Sequence, residues 1–467
     1  MSMTRKDGEA QPGIKWGPFT LRIPFIHTGI TWPETLQGLI VAAATGLALV
    51  PLLMSPYFGL TFEEAVIFSM ISSMLISSGP IIFGEPFAPG WVTPAIPLVL
   101  KMFMTDDFSG PTERFMYMTA VSLDVSLILI VLGITGLGKK VIDSMPMALK
   151  GAIILGAAIA ALQRVFIGDN VLKPTEMPVS MTIAMGVCLL LMFSIPVMKY
   201  KGTKPWLAKL ASLGLLPGFI LAGVIGIMLG EINYTDETGA SIIQMGLMNP
   251  IDPFMSLLEK ASPFYIGFPT LAMMFNPDVL GLAFVIYIIL FGDIITGIEI
   301  LKGAISTRKD EKIDFSSTRT HISTGIRNIA MALTAPFAAT QGSLWAGVHV
   351  IIVKRWSEGR KSMDSLYTGI SSYYIFGFPI LFLAFPITTA LKPMLPIALA
   401  LTLGLTGFAC AYIAMNIPKN EAERGVVLLG ACALAFFPPF LGLMIALASV
   451  WLLLGFKDAQ DNPPIED

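Results

Sequence analysis

Long apolar runs separated by short polar connections make up most of the chain. Each run is apolar over most of its length, which is typical of a helix that crosses a lipid bilayer. The runs lie at residues 32–54, 62–78, 115–137, 148–166, 178–198, 212–230, 281–304, 323–337, 366–387, 395–415, 425–437 and 440–456. The pattern predicts an all-α integral membrane protein.

Two further apolar stretches are interrupted by proline and glycine, so neither can form one continuous helix. The first, IIFGEPFAPGWVTPAIPLVLKMF, predicts an extended arm over residues 83–92. A short helix follows, with Thr93 as its N-cap and Pro94 in its first position. The second, APFAATQGSLWAGVHVIIVKRW, predicts a helix over residues 344–353 with Ser343 as its N-cap.

With these two stretches the chain has about fourteen segments, of which the third and the tenth are short and interrupted. Two halves of seven, each with a broken third segment, predict a pair of inverted repeats. We therefore expect a cytoplasmic N-terminal segment, a first repeat, an extracytoplasmic connection, a second repeat and a cytoplasmic tail. These parts are residues 1–31, 32–230, 231–277, 278–456 and 457–467.

The distribution of basic residues supports this topology. If both termini are cytoplasmic, all but six of the 30 Lys and Arg residues fall on the cytoplasmic side, as the positive-inside rule requires. The exceptions are Lys101, Arg114, Arg164, Lys173, Lys260 and Lys392. We expect a multi-pass protein of the plasma (cell inner) membrane with both termini in the cytoplasm.

The amino-acid composition is that of a membrane protein. The chain is 54% hydrophobic and only 13% charged, with a mean hydropathy of +0.74, which excludes an ordinary soluble domain. The net charge of −2 gives no reason to expect a nucleic acid partner. The three cysteines show no metal-binding or disulfide spacing. Motifs such as HExxH, GxSxG and the P-loop are missing from the sequence, so we expect neither an enzyme nor a resident cofactor or metal.

Asp293 is the strongest candidate for chemistry because it lies about half-way along the apolar run 281–304. A carboxylate at the centre of a bilayer costs roughly 2.5 to 3.5 kcal/mol, so such residues usually bind a solute or an ion. Thr296 and Gly297 follow one turn later and extend the same site. The alternative is a structural carboxylate satisfied by a neighbouring helix.

The interrupted segments supply the second part of the predicted site. If their short helices enter from opposite sides, the helix ends at Thr93 and Ser343 point toward the membrane centre with free N–H groups. Such ends attract anions and polar acceptors. Gln341 and Gly342 precede Ser343 and join the predicted site, where the Gln341 amide offers both a donor and an acceptor.

Three other polar residues are weaker candidates. Asp124 is equally consistent with a second functional carboxylate and with a buried structural acceptor. His349 fits a packing histidine better than a proton relay. Glu299 has the spacing to pair with Lys302 on one helix face, which favours a structural role.

The interrupted segments and the eighth-span sequence FGDIITG resemble the uracil/xanthine permease and purine permease group of nucleobase/ascorbate transporters. The resemblance implies that Asp293 holds the base, with Phe291 and Gly297 loosely matching the family's FDTxGT-like context. TQGSLWAG matches the family's TxxGE motif in part, since Ser343 stands where a second carboxylate is expected. Sulfate permeases and bicarbonate transporters share this fold and place an anion between the same two helix ends.

The resemblance implies a core domain of spans one to four and eight to eleven that moves against a gate domain. We therefore expect a secondary active transporter for proton- or sodium-coupled symport of a nucleobase or similar small heterocycle. The alternative is a transporter of sulfate, bicarbonate or an organic acid without a C-terminal regulatory domain. An uncoupled channel is disfavoured because no uninterrupted polar stripe lines a helix. The expected partners are a small-molecule substrate, a co-transported H⁺ or Na⁺ and the lipid bilayer, and a homodimer is left open.

Overall fold

The structure is a computed structural model that describes residues 5–39, 47, 50, 51, 54, 55, 57–138, 140, 144–167, 177–201, 203–212, 216–338, 341–375 and 380–455. A two-stranded hairpin near the start of the chain precedes a series of helices. The first half contains β1 (Ile14–Trp16), β2 (Phe19–Leu21), α1 (Trp32–Gln37), α2 (Phe62–Ile81), α3 (Ile96–Phe103), α4 (Pro111–Thr135), α5 (Met147–Phe166), α6 (Pro178–Phe193), α7 (Ile195–Lys201), α8 (Pro205–Ser212) and α9 (Leu216–Leu229).

The second half contains three helices in the long connection and nine more after it among the described residues. They are α10 (Ile251–Ala261), α11 (Pro263–Ile266), α12 (Leu271–Met274), α13 (Pro277–Ile305), α14 (Ser317–Thr334), α15 (Ala346–Ser357), α16 (Leu366–Ile375), α17 (Ile380–Leu383), α18 (Phe385–Leu391), α19 (Leu395–Asn416), α20 (Glu421–Phe436) and α21 (Pro439–Leu454). Single 3₁₀ turns, Thr93–Ala95 and Lys392–Met394, lead into α3 and α19.

Within the described residues, five helical runs are long and apolar enough to cross a membrane. They are Phe62–Ile81, Pro111–Thr135, Met147–Phe166, Pro277–Ile305 and Phe385–Asn416. The chain is therefore a helical membrane protein, as its hydropathy predicts. The count of fourteen segments is not confirmed, because several predicted spans are short or divided and most of the predicted span 32–54 lies outside the described residues.

Two predicted spans are each divided into shorter helices. Residues 178–198 separate at Ser194, whose backbone is extended, and the second span separates at Ala384, which is also extended, between α17 and α18. Pro196 and Pro386 stand in the first turn of the helix that follows each division in the described chain. A proline is tolerated there because its missing N–H would have no partner in the helix.

Two helices begin earlier than predicted because of their N-caps. α13 starts at Pro277, where the Asn276 side chain accepts the Asp278 N–H at 2.9 Å. α14 starts at Ser317 rather than at residue 323, and the Ser316 hydroxyl accepts the N–H of Arg319 at 3.4 Å. The earlier start brings a polar stretch of sequence into α14.

The N-terminal segment forms a structure that hydropathy does not predict. Strands β1 and β2 pair antiparallel, and the chain after β2 then pairs with the end of α2, where the Arg22 N–H donates to the Ile81 carbonyl at 2.7 Å. Gly84 has a φ of +69°, and a Cβ there would lie 2.4 Å from the Thr20 carbonyl oxygen, so this contact requires glycine. The Arg22 guanidinium lies 3.7 Å from the centre of the Tyr367 ring.

Ion pairs attach the start of the chain to the loop after α13. Arg5 and Arg308 each lie 2.7 Å from the Asp310 carboxylate. Glu311, beside it, accepts hydrogen bonds from Ser365 at 2.6 Å and from Trp356 at 2.7 Å. The N-terminal segment is therefore part of the folded body.

Most helix contacts fall within two sets, which we name the core group (α2, α4, α13, α14, α15 and α16) and the gate group (α5, α6, α9, α19, α20 and α21). Helix α13 also packs against α21 of the gate group. Small residues bring the gate helices close together, since a Cβ on Gly430 would lie 2.9 Å from that of Ala152 and 3.1 Å from that of Ala446. Helix α3 of the third segment packs against α5, so it lies at the boundary of the two groups.

Candidate functional site

The two interrupted segments cross in extended conformation and pair through their backbones. The Gly342 N–H donates to the Gly90 carbonyl at 2.8 Å, and the Trp345 N–H donates to the Ala88 carbonyl at 2.7 Å. A Cβ on Gly342 would lie 2.6 Å from the Gly90 oxygen, and one on Gly90 would lie 2.7 Å from the Trp345 Cβ. Glycine is therefore needed on both sides of this contact, which we call the crossing. Residues 83–92 form a non-helical arm as predicted, but the arm turns at Gly84, whose φ is positive, and is not extended throughout.

Thr93 does not cap the helix that follows the crossing, contrary to the prediction. It is the first residue of the 3₁₀ turn, and its hydroxyl donates to the Trp91 carbonyl at 3.2 Å. The N–H groups of Thr93 and Ala95 are taken by the carbonyls just before them, at 2.7 and 2.8 Å. Pro94 and Pro97 have no N–H at all, so this helix start offers fewer free donors than expected.

Ser343 is not a helix cap either. Helix α15 begins at Ala346 with Trp345 as its N-cap, because the Trp345 N–H is held by the Ala88 carbonyl and Trp345 itself is extended. Ser343 is buried, and its hydroxyl has no hydrogen-bond partner among the described residues. The free N–H groups at this end are therefore those of the first turn of α15.

Helix α13 packs against both sides of the crossing at Gly297. A Cβ at this position would lie 2.8 Å from Phe87 of the third segment and 3.3 Å from Leu344 of the tenth. Ile294 and Leu301 join the same buried cluster. Gly297 thus allows α13 to approach the crossing closely at mid-helix.

Asp293 and Thr296 lie on the side of α13 away from that cluster. Asp293 is half-buried and makes no hydrogen bond or ion pair with the described residues, while its charge acts on Cys410 of α19. Thr296 is exposed, and its hydroxyl donates to the Gly292 carbonyl at 2.8 Å. The carboxylate therefore faces the gate group beside the crossing.

Access to this face differs between the two ends of α13. From Gly292 onward, one face of α13 is not covered by other helices, and we call it the open stripe. Gly292, Thr296 and Gly303 on this face are exposed, and a Cβ added to either glycine would meet no atom within 4 Å. The N-terminal half is buried instead, with Leu282 and Ile286 both 0% exposed. A carboxylate beside glycines and a hydroxyl indicates contact with water rather than lipid.

Contacts between the core group and the gate group cover the N-terminal end of α13. The Phe440 N–H of α21 donates to the Asp278 carboxylate at 3.2 Å, and a Cβ on Gly281 would lie 2.8 Å from the Phe440 Cα. The Lys101 ammonium at the end of α3 donates to the Phe437 carbonyl at 2.5 Å. The N-terminal end of α13 is thus held against α21, whereas the stripe that carries Gly292, Thr296 and Gly303 is exposed.

The remaining predicted residues are placed differently. Gln341 is buried, and its amide donates to the Ser72 carbonyl at 3.2 Å, so it faces α2 rather than the open stripe. The His349 Nδ1 accepts the Ala88 N–H at 3.2 Å, which makes this histidine a support of the crossing. Asp124 is buried in α4, and no described hydrogen bond or ion pair joins it to Asp293. The side chain of Glu299 is not among those that the structure describes.

The sequence analysis missed the buried polar residues of α14. Arg327 and Asn328 contact the tenth segment, and Thr320 contacts Glu85 of the third. The stretch STRTHISTGIRN places polar side chains at helical spacing, which indicates a helix with a polar face. The prediction started this span at residue 323, in the middle of the stretch, so the polar face was not recognised.

The fold defines a helical membrane protein in which Asp293 lies half-buried at the middle of α13, beside the crossing. No protein-family model and no curated protein matches the chain. Similar solved structures include the overall structure of SLC26A9 (TM-score 0.48, 12% identity, covering 91% of this chain and 65% of that one). The transmembrane domain of a cyanobacterium bicarbonate transporter, BicA, is similar at a TM-score of 0.45 and 15% identity, covering 92% and 98%.

A further similar structure is murine Solute Carrier 26 family member A9, an anion transporter in the inward-facing state (TM-score 0.45, 15% identity, covering 92% of this chain and 69% of that one). The chain spans 65% of the SLC26A9 chain named first. These values record similarity only, so the function proposed below is based on the geometry of the chain itself.

Proposed function

We propose that this protein is a secondary active transporter that binds a small polar solute between the crossing and the gate group. The observation that carries the proposal is the exposed stripe beside Asp293 on α13, which begins at Gly292, while Asp278 and Phe440 hold the N-terminal end of the helix against α21. A fixed mid-membrane site exposed to one side at a time is the arrangement that alternating access requires. Movement of the core group against the gate group would reverse the exposure.

Asp293 is the proposed coupling group. Its carboxylate has no hydrogen-bond partner among the described residues, and at membrane depth such a group is stabilised by a bound cation, either a proton or a sodium ion. Binding of the cation and of the solute at adjacent positions links the two equilibria. The expected transport mode is therefore cation-coupled symport.

A small anion is the proposed substrate class, in the range of sulfate, bicarbonate or an organic acid. The first turn of α15 offers backbone N–H groups and the positive end of a helix dipole beside the crossing. Ser343 takes the place of the second carboxylate that the nucleobase transporters use.

A nucleobase or similar heterocycle is the second candidate. Trp91 and Trp345 lie on either side of the crossing and both are half-buried. Indole rings placed in this way can stack on a flat ring, which an inorganic anion cannot exploit.

The test is uptake into proteoliposomes together with thermal stabilisation of the purified protein. The probes are sulfate, bicarbonate, succinate, uracil, xanthine and adenine, each with and without sodium and at two pH values. Binding to the native state raises the Tm by mass action. We expect saturable, gradient-driven uptake that is lost in Asp293→Asn and kept in Glu421→Gln, whose carboxylate is exposed at the start of α20.

The outcomes separate the candidates. Stabilisation by an anion alone supports the anion transporter, and stabilisation by a base alone replaces it with the nucleobase transporter. Full gradient-driven uptake by Asp293→Asn would refute the coupling role. Flux that does not saturate would identify a channel instead.

A further inference from the structure

One face of α14 carries a continuous row of buried polar side chains. Thr320, Ser323, Thr324, Arg327 and Asn328 follow one another at helical spacing, and none is more than 2% exposed. Buried polar groups need partners, since an unpaired one is costly in an apolar surrounding. Their partners lie in the two interrupted segments.

The first half of the row holds the third segment. The Thr320 hydroxyl donates to the Glu85 carboxylate at 2.5 Å, and the Ser323 hydroxyl donates to its other oxygen at 3.3 Å. The Arg319 guanidinium lies 3.7 Å from the same carboxylate. Glu85 belongs to the extended arm that continues into the crossing, so α14 fixes where this arm begins.

The second half of the row holds the tenth segment. The Arg327 guanidinium donates to the Gly342 carbonyl at 3.2 Å, and the Asn328 amide donates to the Gln341 carbonyl at 3.0 Å. Gly342 in turn donates its N–H to Gly90 of the third segment. The contacts form a closed circuit from α14 through both interrupted segments and back to α14.

We propose that Arg327 is a positioning residue, which holds the crossing in the geometry that the transport site needs. This inference rests on the proposed function. Arg327 is the member of the row that serves both segments, because it bonds to Gly342 and its charge also acts on Glu85. Its Nε and one Nη have no hydrogen-bond partner among the described residues. The guanidinium is therefore held by these two interactions and by Thr324.

A purely structural role is the competing explanation. Replacing both members of a buried charge pair by neutral groups is often neutral for stability, whereas removing one member leaves the other unpaired. Stability alone therefore cannot distinguish a positioning residue from a simple charge partner of Glu85. The test must report on the crossing itself.

The experiment is hydrogen exchange followed by mass spectrometry on the full-length protein in lipid nanodiscs. The reporters are the N–H groups of Gly342 and Trp345, both of which are protected by bonds across the crossing. We expect Arg327→Gln to accelerate exchange in peptides that contain them by about tenfold or more, since hydrogen bonds to charged groups are the strong ones. Peptides from α5 and α20 of the gate group should be unchanged.

The matched control is Ile326→Ala, which changes the neighbouring residue on a side of α14 where it is 39% exposed. Its exchange at the crossing should equal that of the wild type. Unchanged protection at Gly342 in Arg327→Gln would overturn the proposal. Equal acceleration throughout both helix groups would overturn it as well, because that result describes global destabilisation.

A double variant keeps the test decisive if the single variant folds poorly. Glu85→Gln combined with Arg327→Gln removes both buried charges, so its Tm should recover relative to Arg327→Gln, while exchange at the crossing stays fast. Recovery of wild-type protection would show that Arg327 only neutralises Glu85 and would reject the positioning role. These measurements use no solute, so they can succeed or fail independently of the uptake assays.

Discussion

The backbone N–H of Gly342 lies 2.8 Å from the carbonyl oxygen of Gly90, and this bond joins two segments that belong to different halves of the chain. Both segments also touch α13 at Gly297, one turn from Asp293. The candidate site is therefore built where two backbones pair at a distance that glycine permits and where the neighbouring side chains pack onto Gly297 of α13.

The closeness of this contact predicts the effect of a single methyl group. Gly342→Ala places a Cβ 2.6 Å from the Gly90 oxygen, so the segments must separate. We expect a destabilisation of about 1 to 3 kcal/mol, typical of overpacking, together with loss of uptake. The measurements are the Tm and proteoliposome uptake.

Gly186→Ala is the control for this variant. Gly186 lies inside α6, where a Cβ would meet no atom within 4 Å. It should leave uptake unchanged and stabilise the helix by up to about 1 kcal/mol. Normal uptake by Gly342→Ala would show that the crossing tolerates separation.

The open stripe on α13 predicts one-sided chemical labelling. In a background without the three native cysteines, Thr296→Cys and Gly303→Cys should react with a membrane-impermeant maleimide added on the side of the α13 C-terminal end. Ile289→Cys should stay unmodified because that position is 5% exposed. Labelling of Thr296→Cys only from the opposite side would contradict the structure.

The closed end of α13 predicts that a cross-link there will stop transport. A Cβ on Gly281 would lie 3.2 Å from the Phe440 Cβ, close to the spacing of a disulfide. Gly281→Cys with Phe440→Cys should form a disulfide under oxidation and abolish uptake, because this end must open in alternating access. Reduction should restore uptake.

The two single variants, Gly281→Cys and Phe440→Cys, control for the chemistry, because neither can form the cross-link. The uptake of each should be unaffected by oxidation. Unimpaired transport by the oxidised pair at residues 281 and 440 would mean that the groups do not separate at that end.

The ion pairs of the N-terminal segment predict a stability that depends on pH. Hydrogen bonds from Arg308, the largest cause, and from Arg5 hold the pKa of Asp310 well below its ordinary value despite partial burial. A lowered folded-state pKa contributes stability above the unfolded value of about 3.9, and this contribution is lost as the pH falls below it. Glu311 and the Asp364 carbonyl face the same arginines.

Asp310→Asn should therefore lower the Tm at pH 7, with a loss of about 1.5 to 3 kcal/mol in the free energy of unfolding. Its Tm should fall less steeply than that of the wild type below about pH 4, because the titrating group is absent. Glu421→Gln, an exposed carboxylate elsewhere, should keep the wild-type acid profile. Parallel acid profiles for the wild type and Asp310→Asn would contradict the assigned role of this cluster.

Local features of the sequence were sufficient for the class of protein and for the outline of the site. Apolar length predicts membrane helices regardless of their neighbours, and proline and glycine predict the two broken segments because they act on their own backbone. The cost of an intramembrane carboxylate likewise singled out Asp293, which the structure places beside the crossing.

Contacts between distant residues decided the rest. Ser343 lies in a non-helical stretch and is not a helix cap because the Trp345 N–H is taken by Ala88, far away in sequence. The polar face of α14 and the paired N-terminal strands likewise depend on partners that only the folded chain brings near, such as Glu85 for Thr320. Hydropathy and local propensity depend only on residues close in sequence, so they cannot predict these partners. The hydrogen bonds that hold the two interrupted segments were therefore determined by the tertiary structure alone.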